Sequence, residues 1–416
     1  MAYLPNKKEF LLMIKEKFEK PAESINDINI IFFHGNCPFF KEIVKSSYQK
    51  EAQEFINIYK NLQNLALDIE NILQKEIPFL KEKDKKKKYE LTRKQAALIF
   101  LLSFFDLIED QNKNKNRFNV YYVLFNRSFC TFQFGRCFLN YLTVIGRWLE
   151  QGKEDILNEK IIYLRDNIDQ KDYLNNQNIE LCELKLYKEG SLFDGDAGYC
   201  IDFANKYIGG GVLNGGNVQE EILFAVEPEA IVSMFFMEVM DKNDAIGIFN
   251  TIEYSKYSGY GNKFKFLNSA ITDDLTKIKK HRIIAIDAIN ITSIYYYYYK
   301  NRTQENIIRD IHKAYVGFNL INWDIGENVE KTISTGNWGC GCFGGNHELK
   351  FIQQWIAASF AGVKRLDYYS FDNKNMKRVA QYYDKIKDKY GTASSLFNTI
   401  LFIDIDENNI IEQLLK

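Results

Sequence analysis

Apolar residues recur at helical spacing through roughly the first 150 positions. Phe10, Leu11, Ile14 and Phe18 fall on one face of an amphipathic helix. FINIYKNLQNLALDIENIL, residues 55–73, repeats the pattern, and LTRKQAALIFLLSFFDLI opens with Thr92 placed as an N-cap. Between these two helices KEKDKKKK, residues 81–88, reads as a solvated loop, with a nuclear-targeting signal as the alternative. Residues 119–149 are rich in aromatics and are expected to form the inner elements of this helical half.

The pattern changes across RDNIDQKDYLNNQNIE, residues 165–180, which is polar and has no apolar period. A domain boundary is expected there, with a helical accessory domain over 1–175 and an α/β domain over 176–416. In the second part, short apolar runs read as strands at 183–187, 199–205, 245–255, 282–291 and 365–371. RIIAIDAINI (282–291) is almost continuously apolar, as a strand covered on both faces requires. Helices are predicted over 228–240, with Pro228 at its first position, and over 347–362, ending near Gly362. Strands alternating with helices indicate an α/β domain. The tyrosine run 295–299 reads as an aromatic surface.

Composition narrows the function classes. The formal net charge of the 416 residues is −1, so nothing in the whole chain favours indiscriminate polyanion binding. Seven scattered cysteines argue against a disulfide framework and for a reducing compartment. The most apolar run, 96–105, is about half the roughly 20 residues a membrane span needs. The charged N-terminus does not read as a secretory signal.

Two glycine clusters carry the chemistry. GGGVLNGGNVQEE, residues 209–221, sets Gln219, Glu220 and Glu221 directly behind five glycines; TGNWGCGCFGGN, 335–346, precedes the helix at His347. Backbone N–H groups left open by glycine at a helix start suit an anion, so the two loops suggest a ligand with phosphate groups. Gly339, Gly341 and Gly344 also spell G-x-G-x-x-G, with Asp367 further on. The preceding EKTISTGNW reads as a poor buried strand, and Asp367 falls near the start of its own, so a nicotinamide-dependent oxidoreductase is disfavoured. Cys340, Cys342 and His347 lack an evident fourth metal ligand and read as small buried cysteines beside a histidine. Glu220 and Glu221 sit between a tight loop and apolar Ile222, Leu223 and Phe224. Desolvation there would raise a carboxyl toward use as a general acid. Adjacent side chains diverge, so one is expected to transfer a proton while the other orients the substrate.

These motifs resemble the poly(ADP-ribose) glycohydrolase family. GGGVLNGGNVQEE is similar to its GGG…QEE signature, TGNWGCGCFGG to its second loop, and IDFANKYIGGG and EYSKYSGYGNKF agree in order and spacing. The resemblance covers most of 180–375 and, more loosely, the Thr92 helix. It implies a macrodomain, a mixed sheet between helices, preceded by an all-helical region, and hydrolysis of ribose–ribose O-glycosidic bonds. It further implies that Glu221 is the acid, that Glu220 bonds ribose hydroxyls, and that Asp202 and Asn205 line the same ribose site. Gln219 would contact adenine, with Tyr260 stacked on it. Gly209, Gly210 and Gly211 would face Gly339, Cys340, Gly341, Cys342, Phe343 and Gly344 across a pyrophosphate. Asn337 and Phe371 would complete the contacts. The expected adenine-contacting acid has no clear counterpart at Phe193 or Asp194. The resemblance implies no metal or other cofactor. Its expected partners are poly(ADP-ribose) and ADP-ribosylated proteins, with ADP-ribose as product and with neither DNA nor membrane. A monomer in the nucleus or cytoplasm is expected. The competing reading is a module that binds ADP-ribose without cutting it.

Overall fold

The computed structural model describes residues 8–48, 52–108, 118–126, 128–169, 178–292, 303–404 and 409–416. Ten strands occur among them: β1 (Lys87–Thr92), β2 (Lys160–Asn167), β3 (Glu183–Tyr187), β4 (Tyr199–Ala204), β5 (Asp244–Ile252), β6 (Ser255–Ser258), β7 (Lys265–Ser269), β8 (Lys280–Asp287), β9 (Thr332–Gly336) and β10 (Arg365–Tyr369). Eight of them form one mixed sheet in the order β1-β2-β5-β8-β4-β9-β10-β3, and β6 and β7 form a separate hairpin. The pairs from β1 to β8 are antiparallel and those from β8 to β3 are parallel.

Alternation along the central strands divides the core in two. Ile246 and Ile248 of β5 and Ile283 and Ala285 of β8 join the core of the helical half. Ala245, Phe249, Ile284 and Ile286 face the opposite core, with the helices Thr303–Phe318 and His347–Phe360. This is the period-2 consequence of a strand buried on both faces, and it gives the expected sheet between helices. The helices of the first half include Lys8–Phe18, which buries Phe10, Ile14 and Phe18, and Arg93–Phe104, capped by Thr92 in a capping box with Gln95.

The structure departs from the sequence reading in several places. The basic run is a loop only in part, because Lys87 and Lys88 begin β1, an edge strand whose lysines suit an unpaired edge. Arg165, Asp166 and Asn167 are not the start of a polar linker but the buried end of β2. Arg165 donates to Glu238 O (2.6 Å), Val239 O (2.8 Å) and Asp244 Oδ2 (2.5 Å), and these bonds allow a charged residue inside the sheet. The helix expected over 228–240 is two short turns, Pro228–Ile231 and Ser233–Phe236. It stops because Leu80 takes the backbone: Leu80 N donates to Phe236 O and Glu238 N to Leu80 O. The strand predicted over 245–255 is split into β5 and β6.

The poor-strand reading of EKTISTGNW also fails: Thr332–Gly336 is β9, buried throughout. Its hydroxyls make burial possible. Thr332 Oγ1 accepts from Gly198 N (2.8 Å), Ser334 Oγ donates to Leu192 O (2.6 Å), and Thr335 Oγ1 meets Gln354 Oε1 (2.6 Å). The tyrosine run 295–299 lies outside the described residues.

The helical half is locked to the sheet by one buried ionic node. Arg93 donates to Glu229 Oε2 (2.5 Å) and to Asn250 O of β5 (2.7 Å), while Glu229 also accepts from Ile252 N and from the Tyr254 hydroxyl. Replacing Glu229 with Ala leaves a fully buried guanidinium without its main acid. The expected loss is about 3–5 kcal/mol of unfolding free energy, read by chemical denaturation. A loss under about 1 kcal/mol would mean that the node behaves like a surface pair.

Candidate active site

The parallel strands β8, β4, β9, β10 and β3 end on one side of the sheet, and their C-terminal loops form the site, as in other open α/β sheets. β4 and β9 pair only at Tyr199–Ile333 and Cys200–Ser334 before they separate. Where the ladder stops, Gln219 takes the missing place. Its Nε2 donates to Ile201 O (3.1 Å), and Phe203 N donates to its Oε1 (2.8 Å). The expected adenine contact therefore has both its carboxamide atoms engaged by β4.

Gln219, Glu220 and Glu221 are the first three residues of the helix Gln219–Val226, which lies between β4 and the Phe129–Glu150 helix. Acids in a first helical turn face the unpaired N–H end of the helix. Here they also face the glycine loop. Glu220 Oε2 accepts from Asn205 N (2.8 Å) and Oε1 from Gly209 N (2.7 Å). Glu221 Oε1 accepts from Gly211 N (2.8 Å) and Oε2 from Val218 N (2.9 Å). The two neighbours thus point to different parts of the loop, as expected, and both are nearly fully buried (2 % and 6 % exposed).

The glycines have a different reason from the expected one. A Cβ on Gly210 would lie 2.5 Å from an oxygen of each acid, and one on Gly216 would lie 2.7 Å from Glu221 Oε1. Gly209 and Gly210 also take positive φ, +85° and +51°, to aim the loop's N–H groups inward. All three N–H groups of Gly209–Gly211 are used internally, that of Gly210 by Tyr207 O (3.0 Å). The loop's backbone therefore grips the protein's own carboxylates, not a free anion.

A third carboxyl stands beside these two. Asp202 on β4 is fully buried, and neither of its oxygens has a hydrogen-bond partner. Burial, and then the charge of Glu221, hold it well above the usual carboxylate range. Glu220 is also pushed well up, by burial first and then by Asp202 and Glu221, against the N–H groups of Asn205 and Gly209. Asp202 and Glu220 therefore hold their protons more tightly than separate carboxylates would.

The second loop has the open backbone. Among the described residues, the N–H groups of Gly341, Cys342 and Phe343 meet no acceptor, and they lie just before the His347–Phe360 helix. A Cβ on Gly341 would meet nothing within 4 Å. Three consecutive free N–H groups near a helix start form an anion nest. Gly339 and Gly345 instead make room for Lys350, whose ammonium lies 4.7 Å from the Trp338 ring and pairs with Asp310. Gly344 makes room for Thr292. This buried Lys350–Asp310 support has no signal in the sequence pattern.

A family model described as poly(ADP-ribose) glycohydrolase, macro domain fold, matches residues 171–378, half of the chain. The chain belongs to the poly(ADP-ribose) glycohydrolase family. A second model, that family's helical domain, matches residues 47–165. Among curated relatives, the chain is 28% identical over 397 residues to poly(ADP-ribose) glycohydrolase 1 of Arabidopsis thaliana, covering 75% of this chain and 70% of that protein. It is 27% identical over 361 residues to the probable poly(ADP-ribose) glycohydrolase 2 of the same plant, covering 75% and 68%. Over 231 residues it is 35% identical to poly(ADP-ribose) glycohydrolase 1 of Caenorhabditis elegans, covering 53% and 29%.

In this member of the glycohydrolase family the remaining expected residues lie on the β6–β7 hairpin and in the segments that follow β4, β9 and β10. Tyr260 has a ring that is largely exposed (59 %), while its hydroxyl lies against the backbone N–H of Gln219, where burial raises its pKa. Phe371 is 53 % exposed and, with Asp372, sits at positive φ, a backbone state that bulky residues seldom hold without a reason. Asn337 is held between Ser370 O and the Tyr368 hydroxyl, and Asn205 Oδ1 accepts from Tyr207 N. Phe343 is half-buried, with its carbonyl on Ile291 N. The cysteines are not both buried. Cys340 is half-buried, its thiol pushed up to about 12 by burial, but Cys342 is exposed between Gly341 and Phe343. Among the described residues no group of three His, Cys, Asp or Glu side chains is placed to hold a metal.

At the uncertain adenine position, Phe193 O accepts from His281 Nε2 (3.1 Å) and Asp194 pairs with Lys279 (3.4 Å). β9 does lead into G-x-G-x-x-G, contrary to expectation. Asp367, however, is buried in the middle of β10 and bonded twice to Arg365 (2.8 Å each), which leaves no acid for a nicotinamide ribose.

Two outcomes follow from this geometry. Gly216→Ala should lower stability by about 1–3 kcal/mol by crowding Glu221, while Gly341→Ala should leave the melting temperature of the free protein unchanged. Equal effects in thermal melts would contradict the division of labour between the loops. Asp202 binds its proton more tightly folded than unfolded. The stability this contributes is complete below its ordinary 3.8 and is lost as pH rises through the folded value. Asp202→Asn should therefore gain on wild type as pH rises, by at most about 1.4 kcal/mol per pH unit. Parallel pH–stability curves would contradict the assignment.

Proposed function

We infer that the protein is a poly(ADP-ribose) glycohydrolase, cutting ribose–ribose O-glycosidic bonds and releasing ADP-ribose. The observation that carries this reading is the carboxyl cluster. Two acids are fixed by loop N–H groups at a helix start, a third with a raised pKa stands beside them, and the loop after β9 offers a free anion nest. The diphosphate rests on the N–H groups of Gly341–Phe343, and Tyr260 and Phe371 offer exposed rings to the rest of the nucleotide. Glu220 bonds hydroxyls of the terminal ribose.

Glu221 gives its proton to the leaving 2′-oxygen as the bond from that oxygen to the anomeric carbon breaks, leaving an oxocarbenium-like ribose. Its carboxylate then takes a proton from water, whose oxygen bonds to the anomeric carbon. One water is consumed, and the acid is restored. Both acids come from one helix start, so the arrangement differs from glycosidases whose two carboxyls flank the sugar.

The free cysteines support a reducing compartment, nucleus or cytoplasm. No helix among the described residues is long and apolar enough to cross a membrane. A monomer remains our reading, since the cluster, both loops and both aromatics come from one chain.

The test is release of ADP-ribose from purified polymer in EDTA, with Glu221→Gln beside wild type. The variant should lose about 10²–10⁴-fold in turnover and keep its affinity for ADP-ribose. Near-normal turnover would remove Glu221 from the acid role. Binding without release by the wild type would make the protein a reader.

A further inference from the structure

We propose that the rim between the start of the Phe129–Glu150 helix and the tip of the β6–β7 hairpin is a second binding surface, which takes a further ADP-ribose unit of the polymer outside the catalytic crevice. The proposal rests on the glycohydrolase reading for the identity of the polymer. Apart from Tyr260 at the hairpin tip, no residue of this rim enters the catalytic mechanism.

Its position is fixed by contacts to the catalytic loop. A Cβ on Gly215 would lie 3.3 Å from Asn126 Nδ2 and 3.6 Å from Ser128 Oγ. Asn217 Nδ2 donates to Asn262 Oδ1 (2.7 Å) and to Cys130 Sγ (3.4 Å), and Cys130 Sγ donates to Gly261 O (3.7 Å). The helical half, the acid-bearing loop and the hairpin tip thus meet at one point beside Tyr260.

The helix face at that point has a fixed composition. Phe129, Gln133 and Arg136 are spaced i, i+4 and i+7, which places them on one side of the helix. Gln133 Oε1 accepts from Phe266 N (3.0 Å), and the Arg136 guanidinium lies 4.8 Å from the Phe266 ring, so that side faces the hairpin. Phe129, about 10 Å further along the axis, therefore stands toward the hairpin tip. It is 56 % exposed, although it occupies the first position of a helix otherwise rich in buried aromatics.

Charge selects the occupant. The chain as a whole has a formal charge of −1, yet residues 118–149 contain three arginines and no Asp or Glu, and residues 254–272 contain three lysines and no Asp or Glu. Among the described residues Arg136, Lys263 and Lys265 have no carboxylate partner. Burial alone lowers the Arg136 pKa, with only Cys137 opposing it. An exposed ring beside unpaired cations suits a polyanion that also carries bases: an adenine stacks on Phe129 while a diphosphate meets Arg136 and Lys263.

The experiment compares wild type with a Phe129→Ala, Arg136→Gln double variant on poly(ADP-ribose) of uniform length, with isothermal titration of free ADP-ribose in parallel. The variant should raise KM for polymer roughly tenfold and weaken its salt dependence, with kcat and ADP-ribose affinity unchanged. An unchanged KM, or ADP-ribose affinity falling in step with it, would overturn the second surface. Filter retention of polymer separates this result from the glycohydrolase reading. If wild type releases no ADP-ribose, the glycohydrolase reading falls. Salt-sensitive retention lost in the double variant would then still support the rim, and equal retention would overturn it.

Discussion

Burying Glu220 and Glu221 side by side, with Asp202 behind them, is a severe electrostatic demand, and much of the site follows from how it is met. Two of the three acids are given backbone N–H donors, Asn205 and Gly209 for one, Gly211 and Val218 for the other. The third, unbonded and fully buried, is held by that burial well above the usual carboxylate range. Backbone donors come this close only if the loop residues lack side chains, and a Cβ on Gly210 or Gly216 would collide with the carboxylates. The glycine loop, the helix start and the strand end that Gln219 completes are therefore one device. Its product is a pair of carboxyls with fixed directions.

The same constraint explains why the helical half is needed. The acid-bearing helix is covered on one side by the Phe129–Glu150 helix, and the loop is braced at Gly215 and Asn217 by residues around that helix's N-terminus. Arg93, Glu229 and Asn250 fasten the same half to the sheet. Two strands of the sheet, β1 and β2, come from the first 167 residues. The accessory part thus completes the sheet and supports the catalytic loop.

How much of this was legible in the sequence depends on where the information lies. The periodic segments were: β3, the start of the Thr92-capped helix and the helix at His347 appear within a residue or two of expectation, because apolar spacing and caps are local properties. The acids were legible too, since Glu220 and Glu221 stand between a glycine cluster and apolar Ile222, Leu223 and Phe224. β9 was missed because its hydroxyls find partners on Gly198, Leu192 and Gln354, far away in sequence. The 228–240 helix was overpredicted because Leu80, also distant, takes its backbone. The purpose of the glycines was read from the wrong side. A sequence shows that a loop lacks side chains but not whether the space is filled by a ligand or by the protein, and here Glu220 and Glu221 fill most of it. Only the second loop, with Gly341 facing open space, keeps the expected free backbone.

The central claim is that the two loops divide the work, one holding acids and the other holding the anion. A crystal structure of Glu221→Gln with ADP-ribose tests it most directly. The account predicts the diphosphate on the N–H groups of Gly341–Phe343, the terminal ribose on Glu220, and the Gly209–Gly211 bonds to the loop's own side chains and carbonyl retained. A diphosphate bonded instead to the backbone of Gly209–Gly211, with those internal bonds broken, would contradict it.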